Sequence, residues 1–196
     1  CYSLTIGVVQ KAMNWLAMNA EGVPAFGGAK HQSLDATYRY GVAAQLMPAI
    51  RGMVSGKQHM VGNFNDSNAV LEFVNSANME ELAALGTSCP DHFLRTKIRP
   101  LVVDFNPAMP DVTATLASLD DAISQYRIGY SAYYGRCKHD DSPALRDPNA
   151  IVYLIPGVGM ITFASSKATA RISGEFYINA INVMRGASSV SEYCGL

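Results

Sequence analysis

The sequence predicts a layered α/β domain with a largely parallel or mixed sheet, flanked by helices and preceded by one or two helices. Three observations carry this. Short β-branched apolar runs alternate with segments of helical periodicity. The run Ala150–Ile155 is followed by Pro156-Gly157-Val158-Gly159 and a second apolar run, Met160–Ala164, as two strands around a turn would be. The spacing Val112, Leu116, Leu119, Ile123, Tyr126, Tyr130 and Tyr133 keeps one helical face apolar without a break.

Taken in order, Tyr2, Ile6, Val9, Met13 and Leu16 form one helical face, and Gly22 and Pro24 end that helix. Residues 23–32 are Gly-rich and aperiodic and read as a linker. Residues 1–22 are therefore expected to be the terminal helix of a preceding domain, and 33–196 a domain of their own. A second helix begins near Ser33 with Leu34, Tyr38, Val42, Leu46 and Ile50 inward; Pro48 bends it and Gly56 stops it. His59–Phe64 and Val70–Val74 read as strands, and Met79–Leu85 as a helix closed by Gly86. Ser88-Cys89-Pro90-Asp91 opens another helix, since proline suits the first helical position. Leu101–Phe105 reads as a buried strand, His139–Asn149 as a surface loop, and Ser165–Arg185 as a last helix stopped by Gly186.

With 196 residues, 49% of them apolar, the chain can form a sizeable core. Its net charge of −1, without basic clusters, argues against nucleic acid or an anionic membrane surface as partner. No apolar stretch reaches membrane-spanning length and no secretory leader is recognisable, so the expected location is the cytoplasm. Cys1, Cys89, Cys137 and Cys194 are far apart and read as reduced thiols. The chain opens at Cys1 directly into helical pattern, which suggests an interior piece of something longer.

His31, His59, His92 and His139 show no metal-ligand spacing, so no metal site is expected within these residues. Gly157-Val158-Gly159 follows a strand, but Thr162 stands where a dinucleotide fingerprint wants a third Gly or Ala, and a turn explains the glycines. Tyr134 and Lys138 have the spacing of a short-chain dehydrogenase's tyrosine and lysine, yet no Gly-rich turn precedes them. Gly-x-Ser-x-Gly is absent. Chemistry is densest over Gly86–Lys97. Cys89, Asp91 and His92 are the candidate catalytic residues, as a thiolate at a helix start and a proton-shuttling pair. Thr87, Ser88, Arg95 and Lys97 are the candidate anion-binding residues, around the free N–H groups of the helix start. The alternative is a capped helix whose polar residues pair with one another.

Five ordered motifs carry a resemblance: Phe26–His31, Pro48–Gly52, Val70–Ser76, Cys89–Lys97 and Ile155–Met160. Together they resemble the middle region of bifunctional rhamnulose-phosphate aldolase/short-chain dehydrogenases, over nearly the whole chain. The resemblance implies a longer parent with a zinc-dependent class II aldolase domain before this region and an NAD-dependent Rossmann dehydrogenase after it. It implies cleavage of a ketose phosphate and oxidation of the lactaldehyde released, with Tyr2–Gly22 similar to the aldolase domain's last helix. No zinc ligand and no NAD-binding turn falls on these residues. The segment's own expected role is therefore a non-catalytic spacer and docking domain. Its implied partners are the flanking aldolase and dehydrogenase domains, with a homo-oligomer as an option. The alternatives are a phosphate or sugar-phosphate binding module over Thr87–Lys97, and an independent enzyme using Cys89, Asp91 and His92.

Overall fold

The computed structural model describes residues 1–195. The elements run α1 (Tyr2–Asn19), α2 (Ala36–Val54), β1 (Val61–Asn65), α3 (Asn68–Val74), α4 (Met79–Leu85), α5 (Pro90–Thr96), β2 (Leu101–Val102), α6 (Val112–Cys137), β3 (Val152–Ile155), β4 (Gly159–Ala164) and α7 (Lys167–Val190). The sheet is mixed, in the order β1-β4-β3-β2. β3 pairs antiparallel with β4 and β4 with β1, whereas β2 runs parallel to β3. The expected α/β layering is present, with antiparallel pairs outnumbering the parallel one.

β3 and β4 are buried along their whole length because both faces are covered, which is why they read as continuous apolar runs. Their period-two alternation divides the core. Tyr153, Ile155, Ile161 and Phe163 face Val42, Leu46 and Ile50 of α2 and Leu119 and Ile123 of α6. Val152, Leu154 and Met160 face α3, α4 and α7, meeting Phe73, Leu82, Tyr177 and Ile181.

Val70–Val74 lies in a helix, not the expected strand. Val70, Phe73 and Val74 are fully buried at helical spacing, while Glu72 points outward to Arg185 at 3.1 Å. A short apolar run fits either period, and packing against α7 decides it. Leu101–Phe105 is extended, yet only Leu101 and Val102 form strand pairs, and the Val103 N–H adds one bond to the Leu154 carbonyl at 2.8 Å. The last helix passes Gly186 and ends at Val190. Residues 23–32 are not a free tether: Phe26 is buried with φ 51° and meets Phe73 edge-on at 5.1 Å. The carbonyls of Phe26 and Gly28 accept the N–H groups of Asn78 and Ala77 at 3.0 and 2.9 Å.

α1 differs from every other long helix because none of its residues is buried. No helix is long and apolar enough to cross a membrane, among the described residues.

Candidate functional site

The segment Thr87–Lys97 opens a helix as its sequence suggests, and its candidate residues part company in the fold. Cys89 is the N-cap and Pro90 the first helical residue of α5, as the Cys-Pro-Asp order requires. Cys89 is half-buried and makes no capping bond through its side chain. Asp91 and Arg95 are exposed and form no ion pair with each other or with Lys97 among the described residues. His92 packs edge-on against Phe176 of α7 with ring centroids 5.4 Å apart, and its buried Nδ1 lacks a hydrogen-bond partner among the described residues.

Of the proposed anion ligands, Thr87 is buried and its hydroxyl has no partner among the described residues. Ser88 is exposed and lies beside the Tyr193 hydroxyl, which donates to the Gly86 carbonyl at 2.9 Å. Lys97 leaves the group altogether. Its backbone turns left-handed with φ 63°, and its ammonium sits 4.0 Å from the centre of the Tyr130 ring. There it donates to the Asp147 carbonyl. Burial holds its pKa down at about 8, against a weaker upward pull from Asp147. Lys97 thus ties the 139–149 loop to α6.

The fold gathers a different set of groups instead. Asn75, at the end of α3, is buried and uses every polar atom it has for which a partner lies in reach. Its Oδ1 accepts the Gly157 N–H at 2.7 Å and its Nδ2 donates to Ser33 Oγ at 2.9 Å. Its carbonyl accepts the N–H groups of Lys30 and His31 at 2.7 and 3.0 Å. Three of the five sequence motifs, Phe26–His31, Val70–Ser76 and Ile155–Met160, therefore meet on one side chain and its backbone. Gly157 has φ 75°, and a Cβ there would stand 2.4 Å from Pro107 Cβ, so the turn needs glycine.

Beside this knot lies a cleft of about 550 Å³, bounded by His31, Glu80, Pro156 and the extended residues 102–106. It opens beyond the carboxyl ends of β2 and β3, the one parallel pair in the sheet. Ligand crevices of α/β sheets are found at such ends. Along 101–107 burial alternates, so Val102, Asp104 and Asn106 share the outer face while Val103 and Phe105 enter the core. Sequence reasoning missed this cleft because His31, Glu80 and Asp104 are far apart along the chain. The only signal in the sequence was the presence of the motifs Phe26–His31, Val70–Ser76 and Ile155–Met160, which the fold brings together.

A second concavity, a groove of about 690 Å³, runs between the end of α1 and the last turns of α7. Leu16, Ala17 and Val23 face Val183, Ala187 and Val190 across it.

The residues present do not fit zinc: among the described residues, no three His, Cys, Asp or Glu side chains come together so as to hold a metal ion. They do not fit a dinucleotide either. The Gly157–Gly159 turn joins two antiparallel strands and leads into no helix whose N-terminus could receive a pyrophosphate. The Tyr134 hydroxyl is engaged with the Pro143 carbonyl at 2.7 Å.

The chain is 34% identical over 196 residues to the uncharacterized oxidoreductase YuxG of Bacillus subtilis (strain 168), an alignment covering all of this chain and 28% of that protein. The chain thus spans just over a quarter of this curated relative. No solved structure matches. Residues 41–196 match the family described as aldolase class II, second domain, and the chain belongs to that family.

Proposed function

We propose that this domain is a non-catalytic spacer and docking unit inside a longer sugar-catabolic enzyme, placed between a ketose-1-phosphate aldolase and an NAD-dependent short-chain dehydrogenase. The observation that carries the reading is α1. Tyr2, Leu4, Ile6, Val8, Val9, Met13, Trp15, Leu16 and Met18 are all exposed, Tyr2 to 80% and Trp15 to 60%. A helix apolar on several sides belongs in the interior of a larger assembly. Burying each such side chain contributes about 1.5–3 kcal/mol. α1 also lies outside residues 41–196, the part matched by the second-domain family. That supports counting Tyr2–Gly22 with a preceding, aldolase-like unit. The five motifs support the identity of the parent, and the longer oxidoreductase relative is compatible with it.

The test is enzymatic. Purified chain, given a ketose 1-phosphate with zinc or an aldehyde with NAD, is expected to show no turnover above a protein-free control. Full-length parent is expected to turn over both. Metal-dependent retro-aldol cleavage by the chain alone would overturn the reading.

A further inference from the structure

The cleft beside Asn75 has the makings of a ligand site that lies outside the docking role. Its walls are fixed, because Asn75 holds His31 through the backbone on one side and Gly157, next to Pro156, on the other. Its polar groups are free. Among the described residues the His31 ring, the Asp104 carboxylate and the Asn106 Nδ2 make no hydrogen bond to protein, while Asn106 Oδ1 accepts the Ala108 N–H at 3.0 Å. Glu80 meets only Lys30, at 3.7 Å with both side chains largely exposed, a pairing too weak to occupy either group.

The donor–acceptor balance selects the ligand. Asp104 and Glu80 accept, Asn106 Nδ2 donates, an imidazole ring can offer both, and the Lys30 ammonium stands at the edge, 3.7 Å from Glu80. A phosphate offers mainly acceptors and would face two carboxylates. An ammonium offers only donors and would face the Lys30 ammonium and the Asn106 N–H groups. Hydroxyls both donate and accept, so a row of them satisfies every group. Val102 and Pro156 supply an apolar wall for C–H faces. We propose that this cleft binds a small, uncharged polyhydroxylated ligand, with Asp104, Glu80, Asn106 and His31 as its polar contacts.

The test is titration of the chain with neutral polyols from glycerol to hexitols and with glucose, following the His31 imidazole by NMR. Putrescine and inorganic phosphate serve as charged comparators. A saturable His31 shift is expected with at least one neutral probe. Asp104→Ala should weaken that binding about tenfold or more, as loss of a charge-assisted hydrogen bond does. Glu80→Ala, at an exposed helical position, gives a second variant expected to weaken it and insensitive to folding problems at 104. Asp120→Ala, at an exposed position of α6, should leave it unchanged. No saturable shift with any neutral probe would overturn the proposal. So would tighter binding of putrescine or phosphate, or a shift that survives both Asp104→Ala and Glu80→Ala.

Discussion

The Asn75 side chain accepts the Gly157 N–H at 2.7 Å across 82 residues of sequence, locking the end of α3 to the β3–β4 turn. Both partners are buried, so the bond has no water to replace it. Asn75→Ala leaves that N–H and the Ser33 hydroxyl without their partner. The expected loss is about 1–3 kcal/mol, read as a lower denaturant midpoint at unchanged slope. A midpoint equal to wild type would show that the knot contributes no stability.

Gly157→Ala should be costlier than a usual Gly→Ala change. At φ 75°, with Pro107 Cβ 2.4 Å from the new methyl, both the backbone conformation and the packing oppose the side chain. A loss above about 1 kcal/mol is expected in thermal or chemical unfolding. A neutral or stabilising result would contradict the turn geometry.

Tyr153→Phe should be neutral or stabilising. The Tyr153 hydroxyl is buried with no hydrogen-bond partner among the described residues, and burial drives its pKa up. Removing an unpaired buried hydroxyl while keeping the ring against Phe163 relieves desolvation, by up to about 1 kcal/mol. Destabilisation by more than that would reveal a partner, such as an ordered water.

Lys97 gives a pH dependence of defined sign. Its folded pKa is lowered from 10.5 to about 8, mainly by burial. Between those values the unfolded chain binds the proton that the folded chain has released. Stability from this group therefore rises with pH across the window and is flat below it. The buried Tyr126 and Tyr177 hydroxyls, pushed upward by burial, act oppositely once unfolded tyrosines ionise. The useful quantity is the difference between wild type and Lys97→Met, which cancels the tyrosines. That difference should shift in favour of wild type from about pH 7 to about pH 10. A difference independent of pH would mean that Lys97 keeps its ordinary pKa.

The sequence made the sheet's centre and the long helices plain, because β3 and β4 are apolar on both faces and α6 keeps one apolar stripe. It did not distinguish helix from strand at Val70–Val74, where five residues fit both periods and burial against α7 selects the helix. Lys97 looked like an anion ligand because it adds positive charge close to the helix start of α5. The left-handed turn at that residue, which sends its side chain toward Tyr130, leaves no mark in composition. The cleft was invisible as chemistry: His31 has no sequence neighbour to work with, and only the fold brings Glu80 and Asp104 to it. What the sequence did hold was the ordered set of motifs that carries the resemblance, three of which meet at Asn75.

The proposed docking role requires α1 to be covered in a longer chain, and amide hydrogen exchange tests this most directly. In the isolated 196-residue chain, whose α1 has no buried residue, the Tyr2–Asn19 amides should exchange quickly relative to α6. In the proposed longer parent the same amides should be strongly protected, because the docking role would set Ile6, Val9 and Met13 against a neighbouring unit. Equally fast exchange of Tyr2–Asn19 in both proteins would contradict the docking role.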